Sequence, residues 1–208
     1  MALKDKSVPR IPARVKAAPE PWWMFFEFMS PLAEEWEPVS KGACLAWLSF
    51  YGLFLAYAIA RGGIFLFTDM LSLPIHEGGH LLFGWFGQTI GVAGGTILQL
   101  GVPLALVTYF AFRREVLGTA FTASLFFENF LNVGLYMQDA RRLVLTLVSV
   151  GGSGEVIHDW NFLFSKLGVL PYDTAIGGAV RFLGWLGMFA VVFWLWWRTR
   201  RGRPSSAE

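Results

Sequence analysis

The chain has 208 residues, of which 55% are hydrophobic and 15% are charged, and its mean hydropathy is +0.50. Ordinary soluble domains carry about 25% charged residues, so this composition argues against a soluble globular domain and predicts a polytopic membrane protein in a lipid bilayer. The net charge of +2 is too small to predict a nucleic-acid partner. The single cysteine excludes an internal disulfide.

Both ends of the chain are basic. Residues 1–21 are rich in Pro, Ala, Lys and Arg without apolar periodicity, which predicts a flexible basic tail, and residues 198–208 form a second basic tail. Residues 22–42 contain an aromatic run that includes Trp22 and Trp23, which predicts a segment lying at the membrane interface. Under the positive-inside rule both termini are expected in the cytoplasm, and a bacterial inner membrane is the expected location.

Five stretches are long and apolar enough to cross a bilayer, for which about 20 residues suffice. They are residues 43–60, 63–86, 93–112, 116–137 and 174–197. A sixth stretch, residues 143–170, is interrupted by glycines and carries Glu155, His158 and Asp159, which predicts a broken or re-entrant helix lining a protein interior. Residues 43–197 are therefore predicted to form an all-α membrane bundle of about six segments, one of them broken.

The second stretch contains the pentapeptide HEGGH. His76 and His80 stand at i and i+4, so both imidazoles project from one helix face and can share a metal ion. Ionisable groups in hydrocarbon are costly and normally functional. The motif predicts a zinc ion with an open position for water, and Glu77 beside it as the general base. The alternative, a polar cluster without metal, leaves the desolvation cost without compensation.

A zinc site of this kind needs a third protein ligand. The remaining histidine, His158, and the adjacent Asp159 lie in the interrupted stretch, and either of them can complete the site. The residues alone leave that choice open. Gly78 and Gly79 leave the backbone bare beside the metal, where a substrate strand is expected to approach.

A second polar constellation lies within residues 116–137. Glu128, Asn132 and Tyr136 recur at i, i+4 and i+8, so one helix face is polar inside the bilayer, and Asn129 stands beside it. We expect this face to point at the metal, with Glu128 orienting a histidine and Asn129 or Asn132 binding a substrate carbonyl. The alternative is interhelical hydrogen bonding that holds the bundle together.

With these features the chain resembles the site-2 protease-type intramembrane zinc metalloproteases. In that family one membrane helix bears HExxH, and a later one supplies an aspartate as the third ligand. By resemblance, His76, His80 and Asp159 are the zinc ligands, and Glu77 is the catalytic base. The resemblance also implies a membrane protein or peptide as the substrate, and a re-entrant or looped region over residues 88–105.

Three functions from different classes follow from these patterns. The first is an intramembrane zinc metallopeptidase that cleaves a peptide bond in or near a membrane segment. The second is a non-catalytic metal-binding scaffold, and the third is a transporter. The complete HExxH motif favours the enzyme, because a scaffold has no use for Glu77 beside the ligands. A transporter would predict inverted repeats, and the sequence contains none.

Overall fold

The computed structural model describes residues 35–146 and 157–201, which form six α-helices and two short 3-10 turns. The helices are α1 (Lys41–Ala60), α2 (Asp69–Phe83), α3 (Gln88–Phe112), α4 (Val116–Gln138), α5 (Asp159–Leu167) and α6 (Asp173–Arg201). The 3-10 turns are Gly84–Phe86 and Leu170–Tyr172. The described residues contain no strand, so the predicted all-α class is confirmed.

Three helical segments in the described part of the chain are long and apolar enough to cross a membrane. They are Lys41–Ala60, Gln88–Phe112 and Leu170–Arg198, each with a mean hydropathy of 1.8. They correspond to three of the predicted stretches, and their length and composition are compatible with a membrane protein.

The HExxH helix, α2, is shorter than the stretch predicted to contain it. It begins at Asp69 and has 15 residues, whereas the sequence predicts a segment over 63–86. The chain turns between α1 and α2 at Gly62 and Gly63, whose φ angles of 63° and 64° lie in the left-handed region that glycine adopts readily. This turn takes up residues that the hydropathy pattern assigns to a span.

Residues 88–105, which the resemblance implies to be re-entrant or looped, lie in α3, a continuous helix of 25 residues. The expectation was wrong because the glycines of this region pack against α2. A Cβ added to Gly94 would lie 2.6 Å from the carbonyl oxygen of Gly79. Small residues allow two helices to approach this closely, and the packing offsets the helix-propensity cost of about 1 kcal/mol per glycine.

One end of the helix bundle joins three parts of the chain. The backbone N–H of Glu37 donates to the carbonyl oxygen of Arg114 at 2.9 Å. The guanidinium groups of Arg114 and Arg198 lie 5.6 and 4.8 Å from the Trp36 ring. The start of α1, the turn between α3 and α4, and the C-terminal part of α6 therefore lie together.

At the other end of the bundle, polar contacts join the end of α4 to the start of α6, and α5 to the start of α3. Arg141, just after α4, donates its Nε to the Asp173 carboxylate at the start of α6 at 2.8 Å. Lys166 of α5 bonds to the Thr89 hydroxyl at the start of α3. Helix α5 thus lies at this second end, beside the beginnings of α3 and α6.

The turn between α1 and α2 lies at neither end. The Gly62 carbonyl accepts a hydrogen bond from Arg181, which lies about 12 Å along α6 from its start. The Thr68 hydroxyl donates to Glu128 Oε1 at 2.7 Å, about 15 Å before the end of α4. From this level α2 runs to Gly91 near the start of α3. The turn therefore lies beside interior residues of α4 and α6, and α2 leads from it towards the start of α3.

Several predicted segments lie outside the described residues. These are the basic tail over 1–21, residues 22–34 of the interfacial segment, and residues 202–208 of the C-terminal tail. Residues 147–156 of the predicted broken helix, which include its three glycines and Glu155, also lie outside them. The described remainder of that stretch contributes the nine-residue helix α5.

Candidate metal centre

Helix α2 and the first residue of α5 bring three donor atoms together. His76 Nε2 and His80 Nε2 lie 3.0 and 3.2 Å from Asp159 Oδ2, and the two nitrogens lie 3.0 Å apart. Among the described residues, these side chains form a group that can hold a metal ion. In a tetrahedral zinc site with bonds of about 2.0–2.1 Å, two ligand atoms lie about 3.3 Å apart. The donor atoms are therefore close to ligand spacing.

Local structure explains why these three side chains meet. His76 and His80 share one face of α2, where His76 is buried and His80 is half-buried. Asp159 begins α5 and is 5% exposed. Its backbone N–H donates to the Tyr136 hydroxyl of α4 at 3.1 Å, which ties the start of α5 to the bundle.

The other nitrogen of each ring faces a hydrogen-bond acceptor. His76 Nδ1 lies 2.9 Å from Gln99 Oε1, and His80 Nδ1 lies 2.9 Å from the Gly91 carbonyl oxygen. Because a carbonyl oxygen cannot donate, these contacts assign the proton of each neutral ring to Nδ1 and leave a lone pair on Nε2. With both rings neutral, two lone pairs and one carboxylate oxygen of Asp159 face each other. A cation, whether a metal ion or an added proton, would relieve that repulsion.

Room for an ion beside the histidines comes from Gly95 of α3. A Cβ added at this position would lie 2.5 Å from His76 Nε2 and 2.6 Å from His80 Nε2. Any larger residue would occupy space next to both donor nitrogens. The chemistry of the three donors and this missing side chain together fit a bound metal ion.

Glu77, the predicted general base, follows His76 directly on α2 and is half-buried. In the described part of the chain its carboxylate accepts no hydrogen bond. Its role as the general base stays a prediction.

Sequence reasoning missed Gln99, which is 3% exposed in α3. Its Nε2 donates to Asn129 Oδ1 at 2.9 Å and to Asn132 Oδ1 at 3.1 Å, while its Oε1 faces His76. The available signal was a single amide within an apolar helix, since polar residues in such segments are usually functional.

These contacts change the roles that the sequence predicts for α4. Asn129 and Asn132 are predicted to bind a substrate carbonyl, which would use their amide N–H groups; their oxygens accept from Gln99, Asn129 Nδ2 donates to the Leu125 carbonyl oxygen, and the substrate contact stays a prediction. Glu128 is predicted to orient a histidine, yet it is 1% exposed and accepts from Thr68. Gln99 makes the predicted histidine contact instead. For these residues the interhelical alternative describes the observed hydrogen bonds.

The glycines of the motif also differ from expectation. The backbone of Gly79, predicted to be bare for a substrate, packs against Gly94 of α3. Gly78 is more open, since the nearest atom to an added Cβ is Leu98 Cδ2 at 3.8 Å. The missing side chain of Gly79 therefore serves helix packing.

His158, the alternative third ligand, belongs to a different cluster. Its Nδ1 accepts the backbone N–H of Asn161 at 3.2 Å and so caps α5. Its Nε2 points towards Asp139, whose Oδ2 lies 3.5 Å away. Of the two candidates, only Asp159 approaches His76 and His80.

Comparison with known proteins assigns no family, since no family model, curated protein or solved structure matches the chain. Any functional conclusion therefore depends on the chemistry of this site.

Proposed function

We propose that the chain is an intramembrane zinc metallopeptidase that hydrolyses a peptide bond in or near a membrane segment. The observation that carries the proposal is the convergence of lone pairs from His76, His80 and Asp159 beside the carboxylate of Glu77. Two imidazoles and one carboxylate are a usual ligand set for catalytic zinc, which supplies a Lewis acid and a bound water that loses its proton near neutral pH.

The residues around the donor atoms have distinct tasks in this proposal. Glu77 accepts the proton of the attacking water and transfers it to the leaving amine. The burial of His76 and Asp159 limits access of bulk water and strengthens electrostatic interactions within the site. Tyr136 keeps Asp159 at the start of α5 through its hydroxyl.

Replacing Glu77 tests the proposed catalysis. Glu77→Gln preserves the side-chain shape and leaves the three donors in place, so zinc content should match the wild type while cleavage falls by about 100-fold to 10,000-fold. Uncut membrane proteins should accumulate in cells that carry the variant and should co-purify with it. His76→Ala serves as the control that loses both zinc and cleavage.

The scaffold alternative makes a different forecast for the same experiment. If no membrane protein differs in length between wild-type and Glu77→Gln cells, and if the variant fully complements a deletion, the chain is a non-catalytic metal-binding protein.

We also infer four membrane passages, made by α1 with α2, by α3, by α4 and by α6. This arrangement is supported by the contacts of Arg114 and Arg198 with the same ring, Trp36. If each of the six predicted stretches crossed the membrane, three crossings would separate Arg114 from Arg198. The two arginines would then lie on opposite sides of the membrane. Four passages keep both arginines with the basic termini in the cytoplasm, as the positive-inside rule requires. The metal centre then lies in the half of the membrane away from the termini.

Cysteine labelling tests this arrangement in a Cys44→Ser background. A membrane-impermeant reagent should reach Glu37→Cys and Arg113→Cys from the same side, and Arg142→Cys from the other. Labelling of positions 37 and 113 from opposite sides would contradict four passages.

A further inference from the structure

A series of hydrogen bonds leads from α4 to His76, and the donor and acceptor of each can be assigned by starting at the Leu125 carbonyl oxygen. A carbonyl oxygen only accepts, so Asn129 Nδ2, at 2.9 Å from it, must donate. Asn129 Oδ1 therefore faces Gln99, and the contact at 2.9 Å must come from the amide nitrogen of Gln99. Asn132 Oδ1 accepts the second N–H of that amide at 3.1 Å.

With both amide hydrogens engaged, Gln99 has only its oxygen to offer to His76. Because the Gln99 Oε1 atom accepts, His76 Nδ1 at 2.9 Å must carry the proton. The lone pair of His76 then lies on Nε2, 3.0 Å from Asp159 Oδ2. Gln99 and Asn129 are 3% and 5% exposed, so water competes little for these hydrogen bonds.

We propose that Gln99 is a positioning residue that holds His76 in the tautomer and ring orientation required of a metal ligand. The inference rests on the proposed function, since a lone pair on Nε2 is useful only if an ion binds there. A neutral amide suits this position because Asp159 and Glu77 already bring negative charge to a poorly hydrated site. Hydrogen-bond partners of this kind typically contribute 10-fold to 100-fold to metal affinity.

Zinc affinity of the purified full-length chain, measured by competition with a chromogenic chelator, tests the proposal. Gln99→Met has a similar volume and no hydrogen bonds, so zinc binding should weaken by about 10-fold to 100-fold. Gln99→Glu keeps an acceptor towards His76 but sets a carboxylate oxygen against Asn129 Oδ1, so its affinity should fall between those of the wild type and Gln99→Met. The matched control is Thr122→Val, which removes a buried hydroxyl bonded to the Gly118 carbonyl elsewhere on α4 and should leave affinity unchanged.

A second measurement needs no variant and keeps the proposal testable if Gln99→Met fails to fold. In the zinc-loaded wild type, ¹⁵N shifts of the imidazole nitrogens should locate the proton of His76 on Nδ1. A proton on His76 Nε2, or a Gln99→Met chain that binds zinc as tightly as wild type, would overturn the role of Gln99 and leave the proposed function standing. A wild-type chain that binds no zinc would overturn both.

Discussion

Two buried histidine–aspartate contacts in this protein have opposite proton placements. At the first, His76 donates from Nδ1 to an amide oxygen and turns the lone pair of Nε2 towards Asp159. At the second, His158 Nδ1 accepts a backbone N–H, so the proton lies on Nε2, which points at Asp139 from 3.5 Å. The same pair of residue types thus directs a lone pair at a carboxylate in one place, where a metal ion fits, and an N–H at a carboxylate in the other.

The difference shows that the group facing the far nitrogen decides whether a buried histidine is available as a ligand. Tyr136 lies between the two clusters, with its ring centroid 6.2 Å from that of His76 and 4.3 Å from that of His158. Its hydroxyl accepts the N–H of Asp159. Adjacent residues, 158 and 159, therefore serve separate clusters because one caps α5 and the other begins it.

The largest expected effect comes from substituting, one at a time, the two candidates for the third ligand. Asp159→Ala should weaken zinc binding by about 1,000-fold, since one of three ligands carries roughly 4 of about 12 kcal/mol. His158→Asn should keep zinc, because asparagine can still cap α5. Chelator competition measures both. Zinc loss in His158→Asn with retention in Asp159→Ala would reverse the roles of the two residues.

A methyl group placed over the donor nitrogens should have the next largest effect. Gly95→Ala would put a Cβ 2.5 and 2.6 Å from the two Nε2 atoms, and such overpacking costs about 1–3 kcal/mol, or roughly 10-fold to 100-fold in zinc affinity. Gly101→Ala, in the same helix with no atom within 4 Å of the added Cβ, is the matched control. Equal zinc affinities in the two variants would place the ion elsewhere.

Removing the hydroxyl between the two clusters should have a smaller effect. Tyr136→Phe keeps the ring contacts with both histidines and removes the acceptor for the Asp159 N–H. The loss of about 1 kcal/mol should lower zinc affinity by about fivefold. Tyr57→Phe, which removes a hydroxyl that accepts the Phe67 N–H away from the site, should bind zinc normally. Unchanged affinity in Tyr136→Phe would mean that Asp159 keeps its position without this hydrogen bond.

The smallest effect is expected at the second cluster and concerns stability rather than metal. His158→Ala removes the cap of α5 and should lower the free energy of unfolding by about 1 kcal/mol, as measured by chemical denaturation in detergent. His158→Asn should restore most of that stability. Zinc affinity should be unchanged in both variants, and a parallel loss of affinity would show that the clusters are coupled.

The sequence by itself determined the helical class and the positions of the four longest helices. Hydropathy located α1, α3, α4 and α6 to within a few residues at most ends, because membrane spans depend on local composition and length. It also placed His76 and His80 on one face, since a spacing of four residues decides this within a single helix. Both results need only the periodicity of one helix and the hydrophobicity of its side chains.

Only the tertiary structure decided which distant residues complete the centre. Asp159 and Gln99 lie 83 and 23 residues from His76 in sequence, and no local pattern distinguishes Asp159 from its neighbour His158. Their contacts arise from the turn at Gly62 and Gly63 that separates α1 from α2, from the glycines that allow α3 to pack closely on α2, and from the capping of α5. Whether residue 158 or 159 is the ligand depends on which groups each side chain contacts. His158 accepts a backbone N–H and caps α5, whereas Asp159 faces His76 and His80.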